Sequence, residues 1–357
     1  MSSMQPASCF LFLLISVFLL TVVFSRILIP KLKSLKMGQK ILDIGPRWHK
    51  SKEGTPTMGG LAFIAAAIVS TLLFWGFTFL VTGNPTAVLD AAPFLITLLF
   101  AVVSGLVGII DDSVKLTKKQ NEGLTAPQKF LLQVITAAIY IFVMKSFGFV
   151  DTVLHIPFLD LEWDLGILYY VFAILLLTGV VNSVNLTDGI DGLASTETFV
   201  VGGFFAVTAF FAKNTFFSHT AEAANDHLSL ALCSAIAIGA SLGFLIYNFY
   251  PARVFMGDTG SLFFGALVVG CAFLANNPLI ILFAGLMYII ETISVILQTS
   301  YFKFTRIFHG QGKRLFKMSP IHHHFEMCGW NEIKIVSVFG GMTFLFCLIT
   351  YLLEYGI

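Results

Sequence analysis

Charge is what this chain has least of. Lys, Arg, Asp and Glu make up 11% of its 357 residues, against 57% hydrophobic residues and a mean hydropathy of +0.88. That balance argues against an ordinary soluble chain, in which about a quarter of residues are charged. Cysteine is also scarce. Cys9, Cys233, Cys271, Cys328 and Cys347 are scattered, mostly within apolar stretches, with no CxxC. They read as small buried residues, neither a disulfide framework nor a thiolate metal site. No basic residue precedes the first apolar stretch, which is long for a signal-peptide core and is followed by Arg26. A cleavable signal peptide is not expected. No segment reads as a soluble module, and no internal repeat of the kind found in many transporters is evident.

What is present is a series of apolar runs of about 20 residues, the length that crosses a bilayer as helix. Ten are expected: 10–29, 58–80, 92–110, 130–147, 167–184, 195–212, 228–247, 261–275, 279–301 and 335–353. The short eighth is expected to start near Asp258. Of the 21 Lys and Arg, 19 fall in alternate gaps or, for Arg26, at the span end that borders one, beginning with the first span, and only Lys145, at the end of the fourth span, and Lys213 fall opposite. The positive-inside bias then predicts five cytoplasmic loops with both termini outside. The expectation is an all-α polytopic membrane protein of ten transmembrane helices, with residues 1–357 forming one membrane domain. The longest outer connection alternates apolar and polar residues around Val150–Ile156 before Pro157, the pattern of a small hairpin.

The few acids are not scattered. Asp111-Asp112, Asn185-Leu-Thr-Asp188-Gly-Ile-Asp191 and Met256-Gly-Asp258-Thr-Gly-Ser261 all fall on the predicted cytoplasmic side. Each has a plain structural reading. Asp111-Asp112 could be a solvated helix end, with Lys115 compensating at helical spacing. The other two could be turns and helix N-caps. Together they point further: like charges about 4 Å apart repel by roughly 4 kcal/mol at an effective dielectric of 20, so clustered carboxylates need a cation, a proton or lysines. Mg²⁺ suits such a set, because it binds through one or two carboxylates and completes its shell with water and substrate phosphate. Phe255, three residues before Asp258, reads either as lipid-facing packing or as a stacking platform. His322-His323-His324 points three ways on a helix, which disfavours zinc and favours hydrogen bonding or phosphate contact. Glu291, inside the ninth span, must face protein or water. It supports either an ion-coupled transporter or a hydrogen-bonded bundle residue with Glu197 nearby.

These motifs, with Gly54-Thr-Pro-Thr-Met-Gly-Gly60 and Pro320-Ile-His-His-His-Phe-Glu326, resemble the phospho-N-acetylmuramoyl-pentapeptide-transferase family along essentially the whole chain. The aspartate motifs are similar to those of the wider polyprenyl-phosphate N-acetylhexosamine-1-phosphate transferase superfamily. The resemblance implies transfer of phospho-MurNAc-pentapeptide from its UDP carrier to undecaprenyl phosphate, giving lipid I and UMP with Mg²⁺, in a bacterial cytoplasmic membrane. A GlcNAc-1-phosphate transferase on the same lipid is the nearest alternative. By resemblance, Asp258 is the main Mg²⁺ ligand, with Asp111 the second candidate. Asp111 is also the base or nucleophile, supported by Asp112. Phe255 would stack on uracil, with Gly189 to Asp191 beside it. Lys52, Thr57, Asn185, Asp188, Asn248 and Gln298 would line the sugar–diphosphate site with Lys115, Lys119 and Lys129. His322, His323 and His324 would lie near the phosphate or muramoyl end. The resemblance further implies a homodimer and a pocket that accepts nucleoside antibiotics.

Overall fold

The computed structural model describes residues 6–35, 52, 54–83, 91–118, 123–159, 161–212 and 221–356. Helices α1 (Pro6–Ser34), α2 (Gly60–Thr82), α3 (Ala92–Lys118) and α4 (Ala126–Ser146) come first. A hairpin of β1 (Val153–Ile156) and β2 (Leu161–Asp164) follows. Helices α5 (Leu168–Thr187), α6 (Leu193–Phe211), α7 (Ala221–Asn248) and α8 (Gly257–Leu274) continue the bundle. It closes with α9 (Ile281–Ala284), α10 (Leu286–His309), α11 (Ile321–Glu326) and α12 (Glu332–Tyr355). Among the described residues, nine helices are long and apolar enough to cross a membrane. A tenth candidate is the pair Pro278–Ala284 and Leu286–His309, bent by 79°.

That bend departs from the straight ninth span expected at 279–301. The segment is as apolar as expected, but Gly285 stands at the break with φ −97° and ψ 28°. Beyond it, α10 is two-faced. Tyr288, Glu291, Ser294, Gln298 and Thr305 are buried, while Ile293, Ile296, Phe304, Ile307 and Phe308 are exposed. Hydropathy averaged over a window does not register a change of direction.

The inverted helix faces are those of a membrane protein. In α1 the exposed large apolar residues are Leu11, Ile15, Leu19, Val23 and Ile27, spaced by four. The buried stripe is Cys9, Leu13, Val17, Thr21, Ser25 and Ile29. Small side chains on the inner face let backbones approach, since lipid gives no hydrophobic drive between helices. Helix α8 is the central post, buried from Thr259 to Leu274. Phe63 of α2 stacks on its Phe264 (ring centroids 4.3 Å apart, interplanar angle 7°) and meets Phe244 of α7 edge-on at 5.1 Å.

The predicted hairpin is present, pairing Val153 with Asp164 and Ile156 with Leu161. It marks one end of the bundle. There Glu354, near the end of α12, accepts from Phe158 N and from Asn277 Nδ2, both at 2.7 Å. Phe10 of α1 meets Phe210, at the far end of α6, at 5.3 Å. The start of α1 and the end of α12 therefore lie away from the turn that precedes α6. That turn is seated by a separate apolar cluster of Ile190, Leu193, Met287, Ile335, Val336 and Phe339.

Candidate active site

The three acidic motifs converge at the other end. The carboxylates of Asp111, Asp112 and Asp258 offer oxygens that all lie within 4.8 Å of one another, the only group of three or more potential metal-ligating residues among the described residues. Asp111 and Asp112 come from the last turns of α3, and Asp258 from the first turn of α8. The two helices touch closely here, because a Cβ on Gly108 would fall 2.2 Å from the Asp258 carbonyl oxygen. Only glycine admits that approach.

Each aspartate is held differently. Asp112 Oδ2 accepts from Thr259 N (2.9 Å) and Thr259 Oγ1 (2.7 Å), and its Oδ1 from Asp258 N (3.3 Å). It thus caps the start of α8, where backbone N–H groups lack helical partners. Asp111 Oδ1 accepts from Leu124 N at 2.8 Å. Asp258 Oδ1 accepts from Asn185 Nδ2 at 2.7 Å, and the same amide nitrogen donates to Ser261 Oγ at 2.7 Å.

Two lysines balance the acids. Lys115 Nζ lies 2.7 Å from Asp111 Oδ2, 3.6 Å from Asp112 Oδ1 and 2.6 Å from Asp258 Oδ2. Lys129 Nζ lies 3.0 Å from Asp258 Oδ2 and 3.1 Å from Asn185 Oδ1. Lys119 lies outside the described residues. Thr57 is close by: a Cβ on Gly257, where φ is +70°, would meet Asp112 Oδ2 at 2.6 Å and Thr57 Oγ1 at 2.8 Å. Asp188 lies half-buried at the end of α5. Burial, then the charges of Asp258, Asp112 and Asp191, push its carboxyl well above the usual carboxylate range.

A second charged knot lies alongside. Lys52 Nζ donates to Asp191 Oδ1 and Glu332 Oε2, both at 2.6 Å. Asp191 N donates to Glu332 Oε2 at 2.9 Å, and Asp191 Oδ2 accepts from Ala252 N at 2.8 Å. The segment after Lys52 then pairs with the Phe255 segment: Phe255 N donates to Pro56 O and Gly59 N to Phe255 O, both at 2.8 Å. The Phe255 side chain is half-buried. Asn248 stabilises this loop, donating to Val254 O at 3.0 Å and accepting from Ser195 Oγ at 3.2 Å.

The remaining candidates do not reach the carboxylate trio. Gln298 Oε1 accepts from Leu315 N (3.1 Å) and Phe316 N (2.8 Å), fastening the last loop to α10. His322 is fully buried, with Nδ1 3.1 Å from Glu291 Oε2. Its other face presses on Gly189, where a Cβ would lie 2.1 Å from Nε2. His323 pairs with Glu326, and His324 Nδ1 accepts from Lys317 N at 3.1 Å. Sequence reading gave no role to Glu332, Thr259, Ser261 or Leu124 N. Thr259 and Ser261 stood inside a noted motif. Glu332 carried only the signal of an acid in a first helical turn, which the helix dipole already accounts for.

The family model for glycosyl transferase family 4 matches residues 94–276, which carry all three aspartates. A polytopic membrane transferase of that class is what fold and motifs define. The phospho-N-acetylmuramoyl-pentapeptide-transferase signature 1 matches residues 52–64, from Lys52 through Thr57 into α2. Proteins of that name in Clostridium perfringens (strain 13 / Type A) and Clostridium acetobutylicum are 43% and 44% identical over 334 and 337 residues. Both alignments span 94% of this chain, and 95% and 96% of the relatives. The Geobacillus thermodenitrificans protein is 41% identical over 338 residues. The chain belongs to the phospho-N-acetylmuramoyl-pentapeptide-transferase family, membrane transferases of peptidoglycan biosynthesis.

Proposed function

We propose that the protein transfers phospho-MurNAc-pentapeptide from UDP-MurNAc-pentapeptide to undecaprenyl phosphate, with Mg²⁺, on the cytoplasmic face of the bacterial plasma membrane. The observation that carries this reading is the trio Asp111, Asp112 and Asp258 faced by Lys115 and Lys129. Three hard oxygen donors at one point suit a divalent cation that also takes phosphate oxygens. When bound, Mg²⁺ neutralises charge that develops on the transferred phosphoryl group.

The chain's own residues do the rest. Asp258 would hold the metal, with Asn185 and Lys129 fixing its carboxylate. Lys115 and Lys129 attract the diphosphate. An oxygen of undecaprenyl phosphate attacks the phosphorus that carries the sugar, that phosphorus releases its bond to the UMP oxygen, and UMP leaves. Asp111 takes any proton the acceptor still carries. A phosphate monoester is largely ionised near neutral pH, so the demand on that base is small and direct attack is favoured over an aspartyl intermediate. Phe255 and the Gly189–Asp191 turn form the uracil end, with Lys52 beside them. The reading includes a homodimer.

The test is direct: purified protein with undecaprenyl phosphate and Mg²⁺, offered UDP-MurNAc-pentapeptide or UDP-GlcNAc, scored for UMP release. Release with the muramoyl donor alone is expected. Release with UDP-GlcNAc instead would overturn the substrate assignment.

A further inference from the structure

Lys115 has the most crowded set of acidic partners of any described lysine. Its ammonium touches one oxygen from each member of the trio, at 2.7, 3.6 and 2.6 Å. Those partners come from two helices, so the ammonium sits between them and not at the rim. Its side chain is one-third exposed, open enough to swing out without unfolding anything. Lys129 differs, touching only Asp258 of the three and anchored also on Asn185.

We infer that Lys115 is a built-in competitor of the divalent cation and carries that cation's place in its absence. A monovalent ammonium and a divalent ion cannot share the same carboxylate oxygens, because their mutual repulsion is strong at such separations. Metal binding therefore displaces Lys115 from the trio. The freed ammonium, still tethered one helical turn beyond Asp111, turns to the diphosphate of the donor. The exchange makes metal affinity low until a phosphate-bearing substrate gives Lys115 a new partner, so metal and donor bind cooperatively. This rests on the metal reading above.

The test uses Mn²⁺ as a paramagnetic stand-in for Mg²⁺, with binding to the purified full-length protein in detergent followed by electron paramagnetic resonance, without substrate. Lys115→Met keeps the length and removes the charge, and is expected to tighten Mn²⁺ binding at least fivefold. Lys115→Arg keeps the charge and should bind as weakly as wild type. UDP affinity measured with saturating Mg²⁺ should move the other way, weakening in Lys115→Met. Unchanged or weaker Mn²⁺ binding in a Met variant with wild-type melting temperature overturns the competition. If Met disrupts the fold, Lys115→Gln carries the same test. Wild type and Asp258→Asn binding Mn²⁺ equally would instead overturn the metal site itself.

Discussion

Glu332 offers a sharp quantitative test, because one of its oxygens serves two loops. Its Oε2 accepts from Lys52 Nζ at 2.6 Å and from Asp191 N at 2.9 Å, and the residue is 6% exposed. Glu332→Ala leaves the buried Asp191 N–H without an acceptor, at about 1–3 kcal/mol. It also removes one charge-assisted bond from Lys52, worth about 1.5–3 kcal/mol at full burial. Lys52 keeps Asp191 and its side chain is 14% exposed, so water recovers part of the second loss; a net cost of roughly 2–4 kcal/mol follows. Glu332→Gln retains an oxygen for one of the two donors and should cost about 1 kcal/mol. Both variants lose the same acid from the first turn of α12, so their difference isolates the hydrogen bonds. At roughly 2 °C per kcal/mol for a chain of this size, Ala should melt about 4–8 °C below wild type and Gln about 2 °C below. Because Lys52 leads into the segment paired with Phe255, the donor KM should rise about tenfold in Ala, or ~1.4 kcal/mol, while the KM for undecaprenyl phosphate holds. An Ala variant with wild-type melting and donor KM would refute the reasoning.

Four further outcomes are expected. Asp258→Asn should retain less than about a tenth of activity, a barrier increase above roughly 1.4 kcal/mol, with the fold intact; more activity than that would remove it from the metal's ligands. Phe255→Ala should weaken UDP binding by about 1–3 kcal/mol while Phe255→Trp preserves it, as base stacking requires; equal losses for both substrates together with lowered melting would mean packing instead. The raised Asp188 carboxyl contributes stability present below its unfolded pKa and lost as pH rises through the folded one. Asp188→Asn should therefore melt higher than wild type at pH 8 and show no such gain at pH 4, and a loss at pH 8 would contradict this. Cysteines at Lys313 and Glu162 should label from opposite faces, Lys313 from the cytoplasm; labelling from one face would break the topology.

The parts of the site legible in the sequence are those where scarcity made position informative. In a chain with so little charge, acids at three span ends stood out, and those at two of them, Asp111-Asp112 and Asp258, meet as a trio in space. Helical spacing alone linked Asp111 to Lys115, and the pair meets at 2.7 Å. Spacing could not show that the same ammonium reaches Asp258, because that contact depends on α3 and α8 packing through Gly108. The bend at Gly285 was hidden for a related reason: hydropathy counts apolar residues and is blind to their direction. His322 illustrates a third limit. Three consecutive histidines look like one feature, yet their side chains take three unrelated partners, and the first is buried against Glu291.

Hydrogen bonding also ranks three aspartates that composition cannot tell apart. Asp112 receives three donors, all from the first residues of α8, so its lone pairs are largely committed to holding that helix start. Its removal would shift Asp258 before it altered any proton transfer. Asp258 is fixed from both sides, by Asn185 on one oxygen and by Lys115 and Lys129 on the other. That is the constraint expected of a group that must present one oxygen to a cation in a set direction. Asp111 receives a single backbone donor, Leu124 N, and otherwise faces Lys115 and the Asp258 carboxylate. Once Lys115 turns away, Asp111 is the carboxylate with the most free acceptor capacity. In the proposed reaction it is accordingly the member of the trio able to take a proton from the acceptor phosphate.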